Sequence, residues 1–139
     1  MKDSRVRRLS RWHRRIYRLT QGRIGRRLVD NDMLILTTTG RQSGRPHEVP
    51  LLYLRDGQSL VVVASYGGRP NYPDWYLNLV ARPEARVQVN GRRQMVTART
   101  ATSIEREAWW PRIVEAYKGY SEYQSRTDRI IPVVFLDPR

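Results

Sequence analysis

Between Thr39 and Arg45, two arginines, a serine and two glycines fall within seven residues. Gly40 and Gly44 let a backbone approach closely and Ser43 offers a hydroxyl. Arg41 and Arg45 offer planar guanidinium forks that match phosphate oxygens. The stretch reads either as an anion cradle or as a plain hairpin loop. Further on, Tyr117, Tyr120 and Tyr123 recur at every third position. On helical turns that spacing puts all three phenols on roughly one side. A tyrosine can stack on a flat substrate and donate a proton or hydrogen bond to a reduced oxygen; a tyrosine-rich lid can equally do no more than pack. Trp75 and Tyr76 are adjacent, so on a helix they face different ways, one toward a core and the other toward a pocket. There is no cysteine, which removes disulfides and thiolate metal sites. With only His13 and His47, a protein-built zinc site is not expected, and no conventional catalytic base stands out.

These side chains need a scaffold, and the patterning along the chain predicts one. Residues 33–39 are a β-rich run, followed by a turn through Pro46 and a strand over 48–54. Asp56 and Gly57 make the next turn, and 59–65 the next strand. Its segment 60–64 is almost wholly apolar, which predicts a central strand buried on both faces. Residues 67–73 read as a loop. Pro73 suits the first turn of a helix continuing over 74–81 and stopping at Arg82 and Pro83. Residues 85–89 and 94–101 form a hairpin across Asn90 and Gly91. Thr102 followed by Glu105 resembles a capping box for a helix reaching Ala116. Residues 117–128 read as a polar loop and 131–136 as a closing strand. Five or six short strands with hairpin turns and a few helices predict a mainly β (α+β) fold, a small barrel. The 139 residues leave room for one modest core and no second lobe.

The net charge of +13 is unevenly placed. Residues 1–28 carry Lys2 and ten arginines against Asp3 alone, whereas 29–139 hold 15 basic and 12 acidic side chains. Residues 4–20 contain no Gly or Pro and predict a helix. Val6, Leu9, Trp12, His13, Ile16 and Leu19 share one side of it, with Arg7, Arg8, Arg11, Arg14, Arg15 and Arg18 opposite. That composition suits peripheral association with an anionic lipid interface through residues 1–20. It also suits a helix packed on the domain with a solvated arginine face. Nucleic acid, whose phosphates a basic helix can track, is the least favoured partner. The expected division is a basic amphipathic helix at 1–28 and a barrel domain at 29–139. No apolar run approaches the ~20 residues that span a bilayer, and the charged N-terminus lacks the apolar stretch of a secretory signal. The expected location is cytoplasmic, at the inner face of the cell membrane if the first 20 residues dock there.

The segment LILTTTGRQSGRPHEVPLLYL at 34–54 resembles the deazaflavin-dependent nitroreductase family of actinobacteria. The resemblance covers roughly residues 25–138 and rests on five segments in order. These are TTTGRQSGRP at 37–46, VVVASYGG at 61–68, DWYLNL at 74–79, WWP at 109–111 and YSEYQSRTDRIIPVV at 120–134. It implies a split β-barrel, to which the patterning adds the N-terminal helix and two further helices. It also implies coenzyme F420, with hydride transfer from the reduced form, F420H2, to a quinone or nitro compound.

Residue by residue, the resemblance puts the cofactor phosphate at the turn with Arg41, Gln42 and Ser43. It sets His47, Glu48, Val49, Pro50, Leu51 and Leu52 beside the cofactor, together with Val63, Ala64, Ser65 and Tyr66. From the following helix it adds Asp74, Trp75, Tyr76, Leu77 and Asn78, and favours Trp75 and Asn78 among them. The Ser65 hydroxyl would bond the deazaflavin ring or the acceptor, or else satisfy a strand-end carbonyl. Tyr117, Tyr120 and Tyr123 match tyrosines that cover the substrate side, Tyr120 also touching the cofactor; with Ser65 they are the candidate catalytic residues. Two positions depart from the family. Its members often carry Lys where this chain has Gln42, which removes one charge. Nitro-activating members carry Tyr where this chain has Leu52, which argues against nitro-drug reduction more than against F420 binding. Two alternatives stay open: an FMN-binding split-barrel oxidoreductase, and a non-catalytic membrane or nucleic-acid binding module driven by residues 1–28.

Overall fold

The computed structural model describes residues 33–139; the expected helix over 4–20 and the boundary at residue 28 lie outside them. Among the described residues all strand pairs are antiparallel. β1 (Met33–Thr39) pairs along its whole length with β2 (Pro46–Leu52), Met33 facing Leu52 and Thr39 facing Pro46. β3 (Leu54–Asp56) and β4 (Ser59–Val63) form a hairpin whose turn uses Gly57 at φ 61°. β5 (Glu84–Val89), β6 (Arg92–Thr100) and β7 (Val133–Pro138) complete a seven-stranded sheet of order β2-β1-β5-β6-β7-β4-β3. In the β5–β6 turn, Asn90 and Gly91 have φ of 51° and 81°. Two left-handed residues are what a twist-matched two-residue hairpin requires.

The strand order forces the sheet to curl. Its two edges, β2 and β3, are consecutive in the chain with only Tyr53 between them. Seven strands laid flat would set the edges about 29 Å apart at ~4.8 Å per step. Two residue steps reach only about 7 Å. The sheet therefore rolls until its edges approach at Tyr53, which is buried there. No ladder joins β2 to β3, so the barrel stays split. This crossing is why the strand expected over 48–54 is broken in two at Tyr53.

Alternation along β4 and β7 divides the core. Leu60, Val62, Val134 and Leu136 face a cluster with Leu34, Leu36, Val87 and Val96 from the other strands. Val61, Val63, Val133 and Phe135 face a second cluster beneath Trp109, Ile113 and Tyr120. β4 is thus buried on both faces, as its unbroken apolar run predicts. It is next to an edge rather than central, because the three-residue β3 still flanks it. It ends at Val63, the last residue paired with β7 (at Val133), so Ala64 and Ser65, expected in the strand, fall outside it.

Three helices, not two, are present among the described residues: α1 (Asp74–Ala81), α2 (Ser103–Ala116) and α3 (Gly119–Ser125). α1 follows an extended Pro73 at its N-cap, one position earlier than the first-turn place expected. At the start of α2 both halves of the capping box form. The Glu105 amide donates to Thr102 Oγ1 at 3.2 Å, and the Thr102 amide to Glu105 Oε1 at 2.9 Å. α3 lies in the segment expected to be a loop. Tyr117 breaks α2 at φ −139°, and the chain coils again where Tyr120 enters the second core cluster. Burial of that ring, rather than local propensity, accounts for the helix.

Candidate active site

A cavity of about 1230 Å³ opens at the split in the barrel. Val49, Pro50, Leu51 and Leu52 of β2 form a half-buried apolar floor. Arg41, Gln42, Ser43 and His47 lie at one end, with Asp74, Trp75 and Asn78 of α1 beside them. Val63, Ser65 and Tyr66 supply one wall, and Tyr117, Tyr120 and Tyr123 another. Glu48 also reaches the lining.

The turn at the polar end is held by its own backbone. The Gly40 amide donates to the Arg45 carbonyl at 2.8 Å and the Gly44 amide to the Gly40 carbonyl at 2.9 Å. Gly44 adopts φ 71°, which glycine accepts without strain. At Gly40 a Cβ would sit 2.5 Å from Ser43 Oγ and 2.6 Å from His47 Nε2, so both exposed side chains would have to shift to admit one. Ser43 Oγ accepts from the Arg45 amide at 3.1 Å and lies 3.3 Å from His47 Nε2.

Asn78 locks this turn to the helix. Its Oδ1 accepts from the Arg41 amide at 3.2 Å and from the Arg41 guanidinium at 2.8 Å, while its Nδ2 donates to Thr38 Oγ1 at 3.1 Å. Arg41 also faces the Asp74 carboxylate at 3.4 Å. The guanidinium is therefore oriented before any ligand arrives. Arg45 does not line the cavity, so of the two forks in the turn only Arg41 is brought to it.

The three tyrosines form a ladder of edge-on rings, with Tyr120 between Tyr117 (centroids 5.8 Å) and Tyr123 (5.9 Å). Their roles separate. The Tyr117 hydroxyl donates to the Tyr53 carbonyl at 3.0 Å, which latches the α2–α3 junction to the crossing point of the barrel. Burial, reinforced by Tyr117 and Tyr123, pushes the Tyr120 phenol well above the ordinary tyrosine range, so it stays protonated. Among the described residues its hydroxyl makes no hydrogen bond, and the residue lines the cavity.

Three expected site residues are not brought to the cavity. Ala64 points into the barrel core, since side chains alternate past Val63 and Ser65. Tyr76 turns away from the cavity, its hydroxyl 3.0 Å from Thr100 Oγ1. Leu77 lies outside the lining too, because Asp74, Trp75 and Asn78 occupy the facing side of α1. Trp75 lines the cavity while also joining the core, and Tyr76 packs against the core without lining the cavity. Met33, Pro73 and Lys118 line the cavity without having been anticipated. Lys118 carried a signal, as the one lysine beyond residue 2 and set among the tyrosines. Among the described residues, no cluster of three or more His, Asp or Glu could hold a metal ion, and no helix is long and apolar enough to cross a membrane.

The split barrel with its apolar floor, glycine turn and phenol ladder belongs to the class of split-barrel oxidoreductases. Residues 9–138 match the F420H(2)-dependent quinone reductase family, and the chain belongs to it. An F420H(2)-dependent quinone reductase of Mycobacterium tuberculosis is 42% identical over 135 residues, 94% of this chain and 91% of that one. Among solved structures, the F420-H2 dependent reductase FDR-A has a TM-score of 0.70 at 42% identity, covering 76% of this chain and 94% of its own. A domain-swapped dimer has a TM-score of 0.72 at 39% identity, over 99% of this chain and all of that one.

Proposed function

We infer that this chain is an F420H2-dependent oxidoreductase that reduces a quinone. The observation that carries the reading is a single cavity running from the Gly40 turn to Tyr120, within a chain of this family. The residues present fit a deazaflavin. The β2 floor is apolar, Gly40 keeps the turn's backbone at the lining, and Arg41 supplies a cation for an acidic tail. When bound, the reduced deazaflavin supplies the hydride.

The chain's own residues do the rest. Arg41, oriented by Asn78, would hold phosphate oxygens with the donors that Asn78 and Asp74 leave free. Trp75 and Leu52 exclude water from the apolar section. Tyr120, kept neutral by burial, donates a hydrogen bond to the acceptor oxygen as negative charge builds there. The Ser65 hydroxyl offers a second donor from the adjoining wall. Tyr117 closes the cavity rather than reacting, since its proton is committed to Tyr53. Leu52 lines the cavity where a further phenol would be needed for nitro compounds, so quinones are the preferred acceptors.

Parallel titrations with F420 and FMN test the assignment. F420 should bind more tightly, and Arg41→Ala should weaken it by about 1.5–3 kcal/mol, the range for hydrogen bonds to charged groups. Equal or tighter FMN binding rejects the reading. Docking on anionic membranes through residues 1–20 is a separate part of the proposal, motivated by the arginine face opposite Trp12. Deleting those residues should abolish sedimentation with phosphatidylglycerol vesicles and leave F420 affinity intact; loss of F420 binding would instead make them part of the domain.

A further inference from the structure

A polar cluster lies behind the cavity wall, and none of the roles assigned above uses it. Gln124 of α3 accepts through Oε1 from the Ile131 amide at 2.9 Å and from the Arg106 guanidinium at 3.0 Å. Its Nε2 donates to the Arg129 carbonyl at 2.8 Å. The Arg129 side chain in turn donates to three main-chain oxygens: Ser65 at 2.7 Å, Arg69 at 2.9 Å and Ala64 at 3.2 Å. These oxygens come from both ends of the short turn that carries Ser65 and Tyr66 to the cavity. The same turn meets α3 directly. Gly68 has φ 75°, and a Cβ on it would lie 2.5 Å from the Tyr123 carbonyl oxygen.

We propose that Arg129 is a positioning residue for the reduction: tied to α3 through Gln124, it holds Ser65 and the Tyr120-bearing helix in one fixed arrangement at the cavity. The proposal rests on the cavity being the reductase site. Ala64 and Ser65 lie beyond the last β4–β7 pair; the Ser65 carbonyl accepts from the Gly68 amide at 2.9 Å within the turn, while the Ala64 carbonyl takes its donor from elsewhere. One planar guanidinium donates to both of them and to Arg69, from the far side of the turn. A lysine ammonium is a compact charge without that plane and cannot reach all three. The hydroxyls of Ser65 and Tyr120 reach the cavity on elements distant in sequence, so their spacing depends on what joins the elements. The route through Arg129 and Gln124, beside the Gly68–Tyr123 contact, is that joint. Catalytic donors displaced by a fraction of an ångström lose much of their effect.

Arg129→Lys and Gln124→Glu test it. The second keeps the acceptor facing Arg106 and Ile131 but replaces the amide that donates to Arg129. Hydrogen–deuterium exchange of the ligand-free proteins should show residues 64–70 and 119–126 opening faster together in both variants. In single-turnover reduction of menadione by F420H2, the rate should fall about tenfold or more while F420 affinity stays within about threefold, and the effect should be less than multiplicative with Ser65→Ala. Faster exchange confined to residues 64–70, with an unchanged rate, would make Arg129 a local cap and overturn the proposal. So would a rate loss that merely follows lost affinity or lost fold. If Arg129→Lys fails to fold, Gln124→Glu leaves the three carbonyl bonds in place and decides the matter alone. Failure of the wild-type protein to bind F420 would defeat the functional reading, whereas coupled exchange without ligand still judges the joint.

Discussion

Replacing Asn78 by alanine should cost this fold about 3 kcal/mol and loosen the anion end of the cavity at the same time. The side chain is 3% exposed and makes three hydrogen bonds, to the Arg41 amide, the Arg41 guanidinium and Thr38 Oγ1. A bond to a charged group contributes about 1.5–3 kcal/mol and a neutral one about 1. The Arg41 side chain is 31% exposed and keeps Asp74, so water and that carboxylate recover much of its share. Thr38 is 1% exposed and has no such recourse; an orphaned buried group costs about 1–3 kcal/mol. Together these give a loss of about 3 kcal/mol, a large part of a typical domain's 5–15. Urea unfolding should show a lower midpoint with an unchanged slope. Asn78→Asp serves as the comparison. It keeps both acceptor positions for Arg41 and lets the Thr38 hydroxyl rotate to donate, so it should lose only about 1 kcal/mol. F420 affinity should fall in both variants, in Asn78→Asp because the added carboxylate competes with phosphate for Arg41. A loss below about 1 kcal/mol in Asn78→Ala, or equal losses of stability in the two variants, would refute the view that this residue locks the turn.

Tyr120→Phe should slow quinone reduction by about 10²-fold, as expected for removing one donor to a developing oxyanion, with little change in F420 affinity; an unchanged single-turnover rate would remove Tyr120 from the mechanism. The same variant should alter the alkaline stability profile. The folded-state phenol titrates above the unfolded value of about 10, so its contribution is fully present below pH 10 and is lost as pH rises beyond it. Thermal unfolding from about pH 8 to 11 should therefore show a shallower decline for Tyr120→Phe than for the wild type. Gly68→Ala should destabilise the protein and displace α3, because φ 75° and the Tyr123 carbonyl both exclude a Cβ; an unshifted melting midpoint would show that this contact can relax.

Local signals in the chain determined much of this protein. Asn90 and Gly91 specify a hairpin through backbone freedom, Thr102 and Glu105 specify a helix start through reciprocal hydrogen bonds, and the apolar run of β4 requires burial on both faces. Each depends on residues a few positions apart, so each can be read from order alone. The five matching segments carried the cofactor class for the same reason, being short stretches with their own residue types. Tertiary structure decided the rest. That β2 and β3 lie at opposite edges, and that Tyr53 must bridge them, follows from strand order rather than from any residue near position 53. The helix at Gly119–Ser125 forms in a polar stretch because Tyr120 is buried against residues from β4 and β7. Asn78 gains its partners from Thr38 and Arg41, 40 and 37 residues away, and Arg129 gains carbonyls from more than 59. Hydrogen-bond donors and acceptors are chosen by distance in space, and once the sheet has rolled, that distance no longer follows separation along the chain.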